Sequence, residues 1–377
     1  MGRFSLSINS LFNKLVESNK KEFSFYLLFL PLYILSTLYG FGIKSRLFLY
    51  HIGMFKILKL GCRVVSVGNI TVGGSGKTPI AMYLAQRFIE KGKRPVILSR
   101  GYKGKIRDMG IVSDGKDVLL NPEDAGDEPY LMATKLKTVP VIVGRDRYKA
   151  GLYAIEKFNP DIIILDDGFQ HIRLARDVDI LLVDSRRVFG NGYLFPLGIL
   201  REPLSGLKRA TLVLLKKSKV WGLPLQALSR GQESEEKNIA KLTGRMKDFP
   251  IIPFAYKPVA IRNIVNDARL NIDFLKGKRV ATLSGIADPK SFKGTIEGLG
   301  AVVIREFVYP DHYNYTSYEL NSIVKQMKDI EILITTEKDA VKLEKFQIGN
   351  LSIFALEIDI HIKNSDMFNK AVGLNAQ

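Results

Sequence analysis

Between Val64 and Thr78 the chain reads V-V-S-V-G-N-I-T-V-G-G-S-G-K-T, a β-branched run that stops at glycines and is followed by Gly-Lys-Thr. Glycines let successive backbone N–H groups converge on one anion, and the N-terminus of a following helix adds partial positive charge. Thr71, Val72, Gly73, Gly74, Ser75, Gly76, Lys77 and Thr78 therefore form a candidate nucleotide-phosphate loop. Lys77 is placed to reach the β- and γ-phosphates, and the Thr78 hydroxyl to ligate Mg²⁺. The common spacing is G-x-x-x-x-G-K-[ST]; here Thr71 stands where its first glycine would be, so the loop is a variant. The alternative is a turn that holds nothing, and Gly-Lys-Thr after a strand and ahead of a helical pattern argues against it.

A second constellation is Asp161-Ile-Ile-Ile-Leu-Asp166-Asp167-Gly-Phe-Gln-His171, which puts two carboxylates at the end of an apolar strand. In phosphate-loop proteins the Mg²⁺-binding acid occupies such a position. One carboxylate, Thr78 and phosphate oxygens would make a sensible shell for a hard cation that keeps several waters. Three further clusters are weaker. Gly126-Asp127-Glu128-Pro129 could supply a base or merely cap a helix. Pro310-Asp311-His312-Tyr313 sets a histidine beside a carboxylate, or is a surface loop. Thr335-Thr336-Glu337-Lys338-Asp339 reads more readily as a helix N-cap than as another anion-binding turn.

These residues need a scaffold, and the apolar runs supply one. Strands are expected from Val64 up to the glycines and at 95–98, 139–143, 162–165, 180–183 and 212–215, with a helix over Pro79–Lys91, which makes a βαβ unit and a mostly parallel, doubly wound sheet. After a polar stretch over 222–248, further strands at 251–254, 280–283, 302–304, 332–334 and 353–356 predict a second, smaller α/β domain. The expected division is 1–62 (membrane anchor and basic segment), 63–249 (phosphate-loop domain) and 250–377 (smaller C-terminal domain).

The N-terminal part has its own logic. Phe23–Ile43 lacks any charged residue and would measure about 31 Å as a helix, enough to span a bilayer. Pro31 and three tyrosines suit a tilted or partly inserted anchor equally well. A cleaved leader fits poorly, because the run starts late, is long and has no small-x-small exit. Lys44–Arg63, with five basic and no acidic residues, reads as an amphipathic helix on anionic headgroups. The 377 residues carry 56 Lys and Arg against 38 acids, a net +18, which predicts an anionic partner without choosing one. The single cysteine, Cys62, excludes an internal disulfide and reads as a packing residue.

Taken together, V-G-N-I-T-V-G-G-S-G-K-T-P, S-R-G-Y-K-G-K (99–105), G-D-E-P (126–129), L-D-D-G-F-Q-H, F-P-L-G-I-L-R-E-P (195–203), P-D-H (310–312) and T-E-K-D-A-V-K (336–342), in this order, closely resemble the tetraacyldisaccharide 4'-kinase family of lipid A biosynthesis. The resemblance implies transfer of the γ-phosphate of ATP, with Mg²⁺, to the 4'-hydroxyl of a tetraacyldisaccharide 1-phosphate. It also implies work at the cytoplasmic face of the inner membrane of a Gram-negative bacterium, among membrane lipids. By motif position, Asp127 resembles the catalytic base and His312 its tuning partner. Asp166 and Asp167 match the acids that handle Mg²⁺, and Lys77 and Ser75 match phosphate-stabilising residues. Tyr102, Arg147, Gln170, His171, Arg201 and Glu202 correspond to further active-site or substrate-orienting positions. Two positions depart from the family pattern: Ala287-Asp288 follows Gly285-Ile286, and Tyr313 follows His312. A membrane-tethered phosphate-loop ATPase powering transport or assembly is the competing expectation. Nucleic-acid binding has only the net charge behind it, with no recognition motif.

Overall fold

The computed structural model describes residues 23–74, 76–218, 220, 232–246, 249–327, 330, 332–344, 346 and 351–374. Helix α1 (Phe23–His51) precedes strand β1 (Arg63–Asn69), helix α2 (Lys77–Glu90), β2 (Pro95–Ser99) and β3 (Met109–Asp114). A short α3 (Pro122–Ala125), α4 (Asp127–Lys135), β4 (Pro140–Gly144), α5 (Arg147–Phe158), β5 (Ile162–Asp166), β6 (Val178–Asp184) and β7 (Leu212–Lys216) follow. Then come α6 (Gln232–Arg245), β8 (Ile251–Asn263), β9 (Arg269–Leu270), β10 (Arg279–Ser284), α7 (Pro289–Gly298) and β11 (Val302–Val308). The chain continues with α8 (Ser317–Gln326), β12 (Ile332–Thr336), α9 (Glu337–Leu343), β13 (Ser352–Ile362) and α10 (Ser365–Val372).

The strands join one 13-stranded sheet in the order β11-β10-β12-β13-β8-β7-β6-β1-β5-β2-β4-β3, with β9 on the side of β8. From β8 to β4 every neighbour is parallel, as is every neighbour from β11 to β13. The two parallel blocks meet at the antiparallel β8/β13 pair. The continuous apolar runs seen in the sequence are the signature of strands covered on both faces, and here the middle residues of β2, β4, β5 and β7 are buried. One core lies under α2 and α4, with Ile80, Leu84, Phe88 and Met132, and it takes in Phe368 and Val372 of α10. A separate core forms around Leu283, Leu320, Leu333 and Leu343.

The N-terminal expectations need correction. Among the described residues, no helix is long and apolar enough to cross a membrane. One side of α1 instead lies on the 193–201 loop: Ser36 is buried and its Oγ donates to the Leu194 carbonyl at 2.9 Å, and the Tyr39 hydroxyl donates to the Arg201 carbonyl at 2.8 Å. Leu30, Ile34, Leu35, Leu38 and Phe41 remain exposed on the same helix. Nor is Lys44–Arg63 one basic helix. The α-helix stops at His51, and Gly53 (φ +76°) donates to the Tyr50 carbonyl, the left-handed glycine turn that commonly ends helices. Beyond it Leu58 bridges to Leu174. Cys62 is half-buried and free, packed against the core beneath β1.

Gly68, near the end of β1, leaves room for no side chain: a Cβ there would lie 2.5 Å from Phe169 Cβ and 2.7 Å from its backbone nitrogen. Overpacking against backbone costs about 1–3 kcal/mol. We expect Gly68→Ala to lower unfolding stability by that amount in urea titrations; wild-type stability would contradict this close approach.

Candidate active site

Register sets the geometry. In the β1/β5 pair Val67 lies beside Asp166, so the loop leaving β1 and the acids ending β5 emerge side by side at the strands' carboxyl ends, where α/β sheets bind ligands. The loop is anchored from outside: the Val72 nitrogen donates to the Ile199 carbonyl at 2.7 Å and Thr71 bridges Leu200. Gly76 caps α2 at φ +90°, and a Cβ there would meet the Tyr256 hydroxyl at 2.3 Å. Gly73 also has positive φ, and Gly74 faces Ala287. Lys77 and buried Thr78 open α2, as expected. Ser75 lies outside the described residues. A cleft of about 1550 Å³ borders the loop, lined by Lys77, Thr78, Tyr256, Asp288 and Lys338 among others.

The two acids differ. Asp167, at φ +55°, meets Lys77 Nζ at 3.6 Å and accepts from Arg201 at 3.0 and 3.1 Å. Burial favours its neutral form, but Lys77 and Arg201 outweigh that and hold the carboxyl below its usual range. Asp166 is fully enclosed, takes one hydrogen bond from Ser99 Oγ at 3.1 Å, and leaves Oδ1 without a partner. Burial, with the nearby Glu128 and Asp167 charges, pushes its pKa up to about 7. An orphaned, buried carboxylate oxygen at the carboxyl end of β5, next to the strand that leads into the loop, suits a hard cation that takes its remaining ligands from phosphates and water.

The other predicted residues surround this pair. Gln170 Nε2 donates to the Asn69 carbonyl at 2.7 Å and to Glu202 Oε1 at 2.9 Å, and Glu202 in turn accepts from Arg209 at 2.6 Å. Arg147 is buried, donates to the Gly144 carbonyl at 3.1 Å and leaves Nε unpartnered; burial lowers its pKa to about 10. His171 also has a buried, unpartnered Nε2, and burial, reinforced by Arg147, lowers its pKa to about 4.

Asp127, the first residue of α4, meets the second core's loops. His312 Nδ1 lies 3.1 Å from Asp127 Oδ2, and Lys342 Nζ is 2.9 Å from the same oxygen. Burial favours the neutral acid, but these two donors hold Asp127 below the usual carboxylate range. The exposed Tyr102 ring stands edge-on to His312 at 5.3 Å. His312 itself (φ +61°) is held by its backbone nitrogen donating to the Gly285 carbonyl at 3.3 Å.

Behind it, α9 does the positioning. Thr336 is indeed a helix N-cap, accepting from the Asp339 nitrogen, and buried Asp339 accepts from Gly285 N at 2.9 Å and Tyr315 at 3.1 Å. Glu337 pairs with Lys135 of α4. Lys338 and Lys342 were not singled out by sequence reasoning, although their i,i+4 spacing puts both ammonium groups on one face of α9. Arg186, which meets Asp184 at 2.8 Å and Asp288 at 2.5 Å, was also missed.

Comparison with known proteins agrees with this geometry. The family model described as tetraacyldisaccharide-1-P 4'-kinase matches residues 28–374. The chain is 43% identical over 338 residues to the tetraacyldisaccharide 4'-kinase of Desulfatibacillum aliphaticivorans, covering 89% of each. It is 37% identical over 347 residues to that of Syntrophus aciditrophicus, covering 91% of this chain and 92% of the other. The crystal structure of LpxK from Aquifex aeolicus in complex with ATP superposes with a TM-score of 0.73 at 36% identity, over 92% of this chain and 98% of that one.

A depressed carboxyl stabilises the fold above its unfolded pKa and loses that contribution as pH falls through the folded value. Lys342→Met should therefore cost about 1–3 kcal/mol at pH 7 and clearly less at pH 3, read from urea unfolding at both. Equal losses at the two pH values would show that the Lys342–Asp127 contact does not carry the shift.

Proposed function

The chain belongs to the tetraacyldisaccharide-1-P 4'-kinase family, and from that premise we propose how its residues divide the work. The reaction is ATP-dependent transfer of the γ-phosphate to the 4'-hydroxyl of a tetraacyldisaccharide 1-phosphate, a lipid A precursor. The loop 71–78 cradles the triphosphate, and Lys77 offsets charge on the β- and γ-phosphates. Asp127 accepts or orients the proton of the acceptor hydroxyl, using the oxygen not engaged by His312 and Lys342. Tyr102 and His312 form one wall of that acceptor position.

Mg²⁺, when bound, would neutralise charge building on the phosphates. Asp166 and Thr78 are the side chains that would hold it, while Asp167 serves by fixing Lys77 and Arg201. Gln170, Glu202 and Arg209 brace the floor of the site, and the buried Arg147 and neutral His171 are kept for the sugar-phosphate. The observation that carries this reading is the meeting of Lys77 with Asp167 at 3.6 Å and of Asp127 with His312 at 3.1 Å, with Lys77, Glu128, Asp311 and Lys338 lining one cleft.

The division at residues 62 and 249 also belongs to this proposal: the core around Leu283 and Leu333 supports a second unit that delivers His312, Lys338 and Lys342, while Ile252, Phe254 and Phe368 pack into the first core and tie the two units together. The acylated substrate implies an interface. The exposed apolar residues of α1, with Lys44 and Arg46 at its end, support a helix lying in the headgroup region of the inner membrane's cytoplasmic leaflet. A transport-driving ATPase needs a partner surface, and no observation favours one.

With MgATP and the acylated disaccharide monophosphate, the purified enzyme should form a bisphosphorylated product, and Asp127→Ala should slow it about 10²–10⁴-fold. Wild-type turnover in the variant would remove Asp127 as base. Ile34→Asp combined with Phe41→Asp should reduce co-sedimentation with anionic phospholipid vesicles several-fold while leaving ATP binding intact; unchanged sedimentation would reject the interfacial helix.

A further inference from the structure

His312 has two ring nitrogens, and only one arrangement of protons suits its surroundings. On one side Nδ1 faces the Asp127 carboxylate at 3.1 Å. On the other, Lys338 Nζ lies 3.0 Å from Nε2, nearer than the carboxylates of Asp311 at 3.9 Å and Glu128 at 4.0 Å. Those two acids are themselves bound to Lys338, at 2.8 and 3.4 Å. Burial would strip the Lys338 proton, but Glu128 and Asp311 outweigh it and keep the side chain an ammonium. An ammonium has three donors and no lone pair. The atom it points at must accept, so Nε2 carries the lone pair and the proton sits on Nδ1, donating to Asp127.

We propose that Lys338 is a positioning residue that locks His312 as its neutral Nδ1–H tautomer, so that the ring always donates to Asp127 Oδ2 and leaves Asp127 Oδ1 to the acceptor hydroxyl. This rests on the reading of Asp127 as the base. Without the ammonium, Nε2 can take a proton and Nδ1 can lose one. Asp127 then faces a lone pair, the repulsion turns the carboxylate or the ring, and the base leaves its aligned position. The device depends on α9 being docked on α4: Glu337 to Lys135, Lys338 to Glu128 and Lys342 to Asp127 are successive contacts between the two helices. Lys342 neutralises the base directly, whereas Lys338 acts on it through the histidine.

The test uses the full-length enzyme labelled with ¹⁵N-histidine and long-range ¹H–¹⁵N spectra, in which a protonated and an unprotonated ring nitrogen resonate far apart. His312→Gln assigns the signal among the four histidines. Wild type should show a proton on Nδ1 and none on Nε2. Lys338→Met should show mixed or Nε2-protonated ring signals and lose about 10–100-fold in kcat, with KM for ATP changed by less than about twofold. Lys338→Arg keeps the charge and donors and should restore the wild-type tautomer together with much of kcat.

A Lys338→Met enzyme with the wild-type tautomer and full kcat overturns the proposal. So does a folded Lys338→Arg enzyme whose Nε2 is protonated, which keeps the proposal open to refutation if the methionine variant fails to fold. The two readings fail separately: if Asp127→Asn turns over normally the base assignment falls, while the tautomer spectra still decide what Lys338 does.

Discussion

The structure depends on charge compensation between the two parallel blocks of its one sheet and the helices they carry. On one side stand Asp127, Glu128, Asp166 and Asp167, all drawn toward the ends of β5 and α4; on the other stand Lys338, Lys342 and His312. Carboxylates gathered this closely and this deeply are unstable by themselves. Asp167 is relieved locally by Lys77 and Arg201, and Asp127 by groups arriving from α9 and the 310–312 loop. Asp166 alone is left uncompensated. On the proposed division of roles, the protein therefore presents a neutralised base, a neutralised anchor for the phosphate-loop lysine, and one acid in want of a cation.

That pattern accounts for the chemistry without asking much of any one group. Phosphoryl transfer is governed by position and by charge spread over the transferring oxygens. If Asp127 is the base, as proposed, a carboxylate held below its usual range by two donors is a weak proton acceptor, suited to orienting a hydroxyl that loses its proton late. The antiparallel β8/β13 pair carries this arrangement mechanically, since it is the only place among the described strands where the two parallel blocks share hydrogen bonds.

Much of the phosphate-binding half was legible because its chemistry is local in sequence. Lys77 follows a glycine loop, the acids end a strand of four apolar residues, and the register of adjacent β1 and β5 then brings Lys77 to Asp167. The strands themselves were readable because both faces are buried, so β-branched runs appear unbroken. Where local signals end, the sequence says less about the structure. Gly53, one residue among a basic stretch, terminates α1 and spoils a continuous helix. The apolar run 23–43 gives part of its surface to the 193–201 loop through Ser36 and Tyr39, polar residues that hydropathy averages away. Strand β3 carries only a short mixed pattern and exists by pairing antiparallel with β4 at the sheet edge. Lys338 and Lys342 lay in a quoted motif, but their partners are distant by about 200 residues of chain, and only the fold brings them to Asp127 and Glu128.

Phosphoryl transfer at this site requires that nucleotide and acceptor meet between these two charge clusters. A crystal structure of the enzyme with Mg²⁺, a non-hydrolysable ATP analogue and the disaccharide monophosphate tests this most directly. We expect the γ-phosphate beside Lys77, the metal on Asp166, and the 4'-hydroxyl within about 3 Å of Asp127 Oδ1. An acceptor hydroxyl seated away from Asp127, with that carboxylate still closed on His312 and Lys342, would contradict it.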